Sequence, residues 1–225
     1  DIGVTTPYLF IAQGASVSVP LTAQVVSLGI PKPGMTVDFI INQGSGSLSA
    51  QSAVTNGSGL ATVNLSETNL GAGFQISACV AGGTGPCQTI YGSAVALASL
   101  NLQFVSGAAQ TVSGTNFQPL TVRVTDSSTP PNPVLGASVT FQSTVTRMVG
   151  SNPAGGSGDP SSGQTGSSII LSASQSSALS DGNGLASITP SLGSFTGALE
   201  IQFQISAGIS ALLQDVLQSI PPASN

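Results

Sequence analysis

Apolar and polar residues alternate along most of this chain with a period of two. Val17, Val19, Leu21, Ala23 and Val25 are separated by Ser18, Pro20, Thr22 and Gln24; further on, Leu120, Val122 and Val124 are separated by Thr121, Arg123 and Thr125. A period of two places successive side chains on opposite faces, so these runs predict strands buried on one face and wet on the other. The runs are short, bounded by Gly, Pro, Asn and Ser, and poor in the Glu, Lys and Arg that favour helices, which predicts an all-β sandwich. One segment is ambiguous. In "ISALLQDVLQSI" (209–220), Ile209, Leu212, Leu213, Val216, Leu217 and Ile220 also fit a helical stripe.

Internal repetition decides that segment. "PLTAQVVSLGIPKPGMTVDF" (20–39) matches "PLTVRVTDSSTPPNPVLGASVTF" (119–141), "TNGSGLATV" (55–63) matches "SDGNGLASI" (180–188), and "FQISA" occurs at 74–78 and again at 203–207. Three matches in one order mark a duplicated unit. They predict two tandem sandwiches, residues 1–99 and 100–225, meeting near Ala98–Asn101, and 225 residues suit two units of about 100 each. Residues 209–220 follow the second "FQISA" as "CVAGGTGPCQTIYGSAVAL" follows the first, so they are expected to form the last strand of the second sandwich. The second copy also carries an insertion near 146–168, "TRMVGSNPAGGSGDPSSGQTGSS", whose Gly, Ser and Pro content predicts an irregular loop leaving the sandwich.

Charge narrows the partners. Charged residues make up 5% of the chain, the cations are Lys32, Arg123 and Arg147 alone, and the net charge is −5. Three cations cannot neutralise a run of phosphates, which excludes nucleic acid, and the negative balance opposes anionic lipid headgroups. With so few ionisable pairs, folding is expected to respond weakly to pH and salt. No apolar run approaches the ~18 residues of a membrane span and no charged leader is visible, so any signal or anchor is expected outside these residues.

Cys79 and Cys87 flank the glycine-rich "VAGGTGP". Two buried thiols are one reading. So close a pair, with no further Cys or His to complete a metal site, favours a disulfide stapling a hairpin, and with it an oxidising compartment.

The near-identity of "NGSGLATV" (56–63) and "DGNGLASI" (181–188) raises three possibilities. A phosphate loop needs glycine amides opening a helix, usually with a lysine nearby; here a strand-like run follows and no lysine is near. A calcium loop could draw on Asp181 and Asn183, but calcium wants six to eight oxygens and the first copy offers only Asn56 and Ser58. The third reading is a tight turn in which the Asn or Asp side chain bonds backbone and Gly57, Gly59, Gly182 and Gly184 supply positive φ. This last is preferred, and neither metal nor cofactor is expected.

Catalysis finds little support. Histidine is absent, Lys32 lies between Pro31 and Pro33, and the carboxylates of Asp1, Asp38, Glu67, Asp126, Asp159, Asp181, Glu200 and Asp215 are scattered in sequence. Asp38 reads as a solvent-facing strand residue and Asp126 as a strand-end residue. Asn56 and Asn64 each begin an Asn-x-Ser sequon and are candidate glycosylation sites, although the turn explains Asn56 equally well.

Leu-Thr-x-x-Val, a proline turn, Gly-Met-Thr-Val-Asp-Phe or Gly-Ala-Ser-Val-Thr-Phe, Asn/Asp-Gly-x-Gly-Leu-Ala and Phe-Gln-Ile-Ser-Ala follow one another in both halves. In that order they resemble the tandem bacterial immunoglobulin-like domains of the invasin/intimin type, from about Tyr8 to Ile220. The resemblance implies an immunoglobulin-like fold and a non-catalytic, extracellular stalk or adhesion module whose partners are proteins or glycans at a cell surface. The cysteine pair, the insertion and the scarcity of charge depart from it. An alternative is a filament subunit that associates with its own copies by β-strand addition, with residues 4–12 or the C-terminal strand as donor, because charges that guard sheet edges are scarce. A third class is a carbohydrate- or ester-processing accessory domain.

Overall fold

The alternating run Val17–Ser27 is a strand in which Val19, Leu21, Ala23 and Val25 are buried while Ser18 and Pro20 stay exposed. The same conversion of alternation into one buried face recurs throughout the computed structural model, which describes residues 1–148, 168–195 and 197–220. Up to Val95 the strands are β1 (Ile2–Val4), β2 (Tyr8–Ala12), β3 (Val17–Ser27), β4 (Ile30–Pro31), β5 (Thr36–Gln43), β6 (Ser47–Leu48), β7 (Ser52–Val54), β8 (Leu60–Glu67), β9 (Phe74–Val80) and β10 (Gln88–Val95). They form two sheets, β1-β3-β8-β6 with β4 beside β3, and β2-β10-β9-β5-β7. From Asn101 follow β11 (Asn101–Ser106), β12 (Thr111–Ser113), β13 (Leu120–Thr125), β14 (Ser138–Met148), β15 (Ser168–Leu179), β16 (Leu185–Ile188), β17 (Leu199–Ala207) and β18 (Ala211–Ile220). These make a second pair of sheets, β11-β13-β16 and β12-β18-β17-β14-β15. The protein is thus all-β, two tandem immunoglobulin-like sandwiches.

Each sandwich buries its own core. Leu21, Phe39, Leu65, Phe74 and Ile76 lie in the first, and Leu120, Phe141, Ile201, Phe203 and Ile205 in the second. The repeated "FQISA" is explained by packing: Phe74, Ile76 and Ala78, like Phe203, Ile205 and Ala207, point inward on a central strand. In residues 209–220 the period of two prevails over the helical stripe. The segment is the strand Ala211–Ile220, where exposed residues at 212, 214, 216, 218 and 220 alternate strictly with inward ones at 211, 213, 215, 217 and 219, the last two buried, an alternation a helix does not produce.

Three expectations are revised. The ends of the predicted irregular insertion are strand: β14 reaches Met148, β15 begins at Ser168, and the two pair Arg147↔Ile169. Glycine and proline, which weaken a ladder, are confined to 150–166, so the ladder continues through the flanks; the remaining part of that expectation, 149–167, lies outside the described residues. Residues 4–12 do not form one free strand, because Val4 belongs to β1, paired with β3, and β2 runs parallel to β10. The C-terminal strand β18 is flanked by β12 and β17, so both supposed donor strands already have partners.

The sandwiches meet through main-chain bonds. The Ala12 amide donates to the Leu135 carbonyl (2.9 Å) and the Leu135 amide to the Phe10 carbonyl (2.8 Å). On another side the Ile209 amide donates to Leu97 O (3.3 Å) and the Ser210 hydroxyl to Ala98 O (3.2 Å). Ala12, Val95 and Leu100 are buried in the second core although all three precede β11.

Candidate functional site

The repeated glycine turn is the one motif with chemistry to place, and its two copies are built alike. Asn56 Oδ1 accepts from the amides of Ser58 (2.9 Å) and Leu60 (3.1 Å). Asp181 Oδ1 accepts from Asn183 (2.9 Å) and Leu185 (2.8 Å). In both, the amide of the last glycine donates to the carbonyl of the Asn or Asp, at 2.8 Å for Gly59 and 2.9 Å for Gly184. The carbonyl of that glycine in turn accepts from the preceding strand, from Val25 at 2.8 Å and Val124 at 2.7 Å.

Of the four glycines expected at positive φ, two are. Gly59 has φ +71° and Gly184 φ +74°, and a Cβ on either would strike the carbonyl of Val25 or Val124. Gly57 and Gly182 are not at positive φ and would meet nothing. The first glycine sits at the exposed tip of the turn; only the second is pressed against a neighbouring strand.

A residue outside the quoted motif locks each turn. The buried Thr55 hydroxyl donates to Lys32 O (2.6 Å) and accepts from the Met35 amide (2.9 Å). Ser180 does the same with Val134 O (2.7 Å) and the Ala137 amide (2.9 Å). Each hydroxyl ties the glycine turn to the proline turn of its own copy. Its signal was available: a hydroxyl residue stands directly before the Asn or Asp in both repeats.

Apart from the single amides of Gly57 and Gly182, the amides of these turns are spent on their own side chains and carbonyls, and strands, not helices, follow, so no N–H cradle is left for a phosphate. Among the described residues no group of three or more His, Cys, Asp or Glu gathers. The remaining carboxylates among the described residues stay apart, Asp159 lying outside them. Asp38 is half-buried on β5. Glu67 is buried, with Oε1 accepting from the Ser45 hydroxyl at 2.9 Å; its inward position follows from sharing parity with Ala61, Val63 and Leu65. Glu200 accepts from Gln202, and Asp215 from the Ala109 amide. Asp126 ends its strand as expected. Burial raises its pKa, but hydrogen bonds from the side chains and amides of Ser128 and Asn132 outweigh this and hold it below the usual carboxylate value.

Cys79 and Cys87 are joined by a disulfide with Cα atoms 4.4 Å apart, bridging the ends of β9 and β10. Asn56 and Asn64 are both exposed, the latter on the outer face of β8. Tyr8 and Tyr91, paired across β2 and β10, stack with centroids 5.6 Å apart.

No family model matches the chain, and no curated protein matches it. It is similar to solved structures. The D0-D1 domain of intimin is 20% identical over 98% of this chain and 97% of that one, with a TM-score of 0.37. The adhesin InvE of Yersinia pseudotuberculosis is 15% identical over 97% of this chain and 58% of its own (TM-score 0.33). Invasin, described as a bacterial integrin-binding protein, is 15% identical over 99% of this chain and 40% of its own (TM-score 0.34).

Proposed function

We propose that the chain is a non-catalytic, extracellular module of a bacterial surface or secreted protein, with units 1–99 and 100–225 meeting at Ala98–Asn101 and together serving as a spacer that presents adhesive loops to proteins or glycans at a cell surface. The observation that carries this reading is the fate of the repeated polar motif: Asn56, Asp181, Thr55 and Ser180 direct their hydrogen bonds into the fold itself. Main-chain bonds across the junction suit a spacer, which must hold one unit against the next. The disulfide suits an oxidising compartment. The test is to coat beads with the exported chain, score their retention on cell layers, and run the same protein through ester and glycan turnover panels. Retention with blank panels is the expected result; turnover, or export with free thiols, overturns the proposal.

A second reading, self-association by strand addition, draws on β15. This edge strand, Ser168–Leu179, contains no Lys, Arg, Asp, Glu or Pro, pairs only with β14 among the described residues, and exposes Ile169, Ile170 and Leu179. Light scattering across a dilution series decides it: a mass that does not change with concentration removes this reading.

A further inference from the structure

A groove of about 490 Å³ opens at the end of the first sandwich remote from the junction, lined by Ile2, Val25, Met35, Val80 and Pro86, with Lys32 at its margin. The duplicated fold contains the same place a second time, and there it is filled. Strand registers fix the correspondence. Ile2 pairs with Val25 as Leu102 pairs with Val124, and the Lys32 amide donates to Val25 O as the Val134 amide donates to Val124 O. Phe74 pairs with Gly92 as Phe203 pairs with Asp215, which sets Val80 against Ile209 by register, although Ile209 sits in the tight turn and is 80% exposed, so the match holds for the Ile2, Val25 and Lys32 side of the groove. In the second sandwich this end is closed by the unit ahead of it. Leu100, one residue before Asn101, is 2% exposed, Ala12 and Val95 lie in the same core, and the Leu97 and Ala98 carbonyls take bonds from Ile209 and Ser210.

We propose that the groove beside Asp1 is the docking seat of another immunoglobulin-like unit, placed ahead of Asp1 in the same polypeptide and received through an apolar linker side chain at the position Leu100 occupies in the second sandwich. A second observation points the same way. Large apolar side chains are exposed around this end, Leu28 at 97%, Ile30 at 64% and Met35 at 37%, whereas the corresponding turn of the second sandwich, between Asp126 and Asn132, is a polar network. The seat is related to the filled one without copying it. Pro33 has no amide hydrogen to give where Leu135 gives one, and Cys79 stands where Gly208 lets the Leu97 carbonyl approach. The hairpin loop 81–87 replaces the tight turn 208–210, and its Gly83 and Gly85 form the far wall of an open groove instead of a flush contact.

A second copy of this chain is the poorer occupant. At the exit end of the second sandwich, Gln218 and Thr111 stand where the first has Val95 and Ala12, so the surface offered would be polar. The occupant is therefore a unit with the apolar exit pattern of residues 95–100. This proposal does not depend on what the module adheres to.

The test uses the full chain with residues 1–100 fused directly ahead of Asp1, and reads peroxide oxidation of Met35 by peptide mass spectrometry. Docking should slow Met35 sulfoxide formation several-fold relative to the unextended chain, and Leu100→Ser in the added copy alone should restore the original rate. Equal rates in fused and unfused chains, with an added unit that shows its own cooperative melting transition, overturn the proposal. Should the added unit not fold, a second variant carries only residues 95–100 ahead of Asp1; no protection of Met35 there overturns it as well. Protection that grows with the concentration of the unextended chain would identify another copy as the occupant and equally defeat it.

Discussion

The turns at 56–60 and 181–185 share a hydrogen-bond pattern despite exchanging Asn for Asp and Ser for Asn, with matching distances from 2.7 to 3.1 Å. The hairpins that follow "FQISA" share almost nothing: β9 and β10 are joined by residues 81–87 closed by a disulfide, β17 and β18 by residues 208–210. The difference follows from position. The glycine turn lies against a neighbouring strand and a proline turn, where the amides behind its exposed tip all find partners inside the protein, so its geometry tolerates little change. The hairpin lies at the sandwich end: residues 81–87 are exposed and can lengthen without disturbing the core, whereas 208–210 are held short by their bonds to the Leu97 and Ala98 carbonyls, which makes it the place where the copies diverge.

The largest expected effect is within the turn itself. Gly59→Ala and Gly184→Ala combine a left-handed backbone with a Cβ driven into a strand carbonyl, and each should cost about 3 kcal/mol in urea unfolding of its own sandwich. Gly57→Ala and Gly182→Ala should change stability by no more than about 0.5 kcal/mol. Equal losses at all four would mean the motif is conserved between copies for a reason other than the one given.

Reducing Cys79–Cys87 should cost the first sandwich about 2.5 kcal/mol on the loop-closure model and leave the second transition in calorimetry unmoved. A shift of both transitions would show that the two units melt together across the junction.

The hydroxyl locks give a paired test of somewhat smaller size. Thr55→Val and Ser180→Ala each strand one carbonyl and one amide, at about 2 kcal/mol, while Thr55→Ser should be nearly silent. Chemical denaturation of the four proteins measures it, and unequal losses at the two sites would break the equivalence of the copies.

The smallest effect is confined to one copy. Asp126 has a depressed pKa, so the stability it lends is fully present above the ordinary carboxylate value and lost as pH falls through the folded value. Asp126→Asn should flatten the decline of the second sandwich below about pH 4 without altering the first. The group is largely solvated, so a slight change in melting temperature is all that is expected.

Strands and their inward faces were legible because each depends on local alternation; even the burial of Glu67 follows from the parity of β8. The turn was legible as a turn but not in detail. Gly57 and Gly59 look equivalent in sequence, and they differ only because Val25 passes behind one of them. The extended pairing of β14 with β15 was hidden by the glycine-rich segment between them, whose composition dominates any reading of 146–168 although its ends continue a ladder.

By itself, then, the sequence determined that this chain is β throughout, duplicated, and closed around two apolar faces, because periodicity and repetition are properties of neighbours along the chain. Only the tertiary structure decided that Thr55 and Ser180 lock their turns, that Leu100, which heads the alternation Leu100, Leu102, Phe104, shares its core with Ala12 and Val95 of the unit ahead, and that the matching groove beside Asp1 stands open. Those outcomes depend on which backbone atoms meet across gaps of tens of residues. A side chain's partner at that distance is set by how sheets stack, and no local pattern records it.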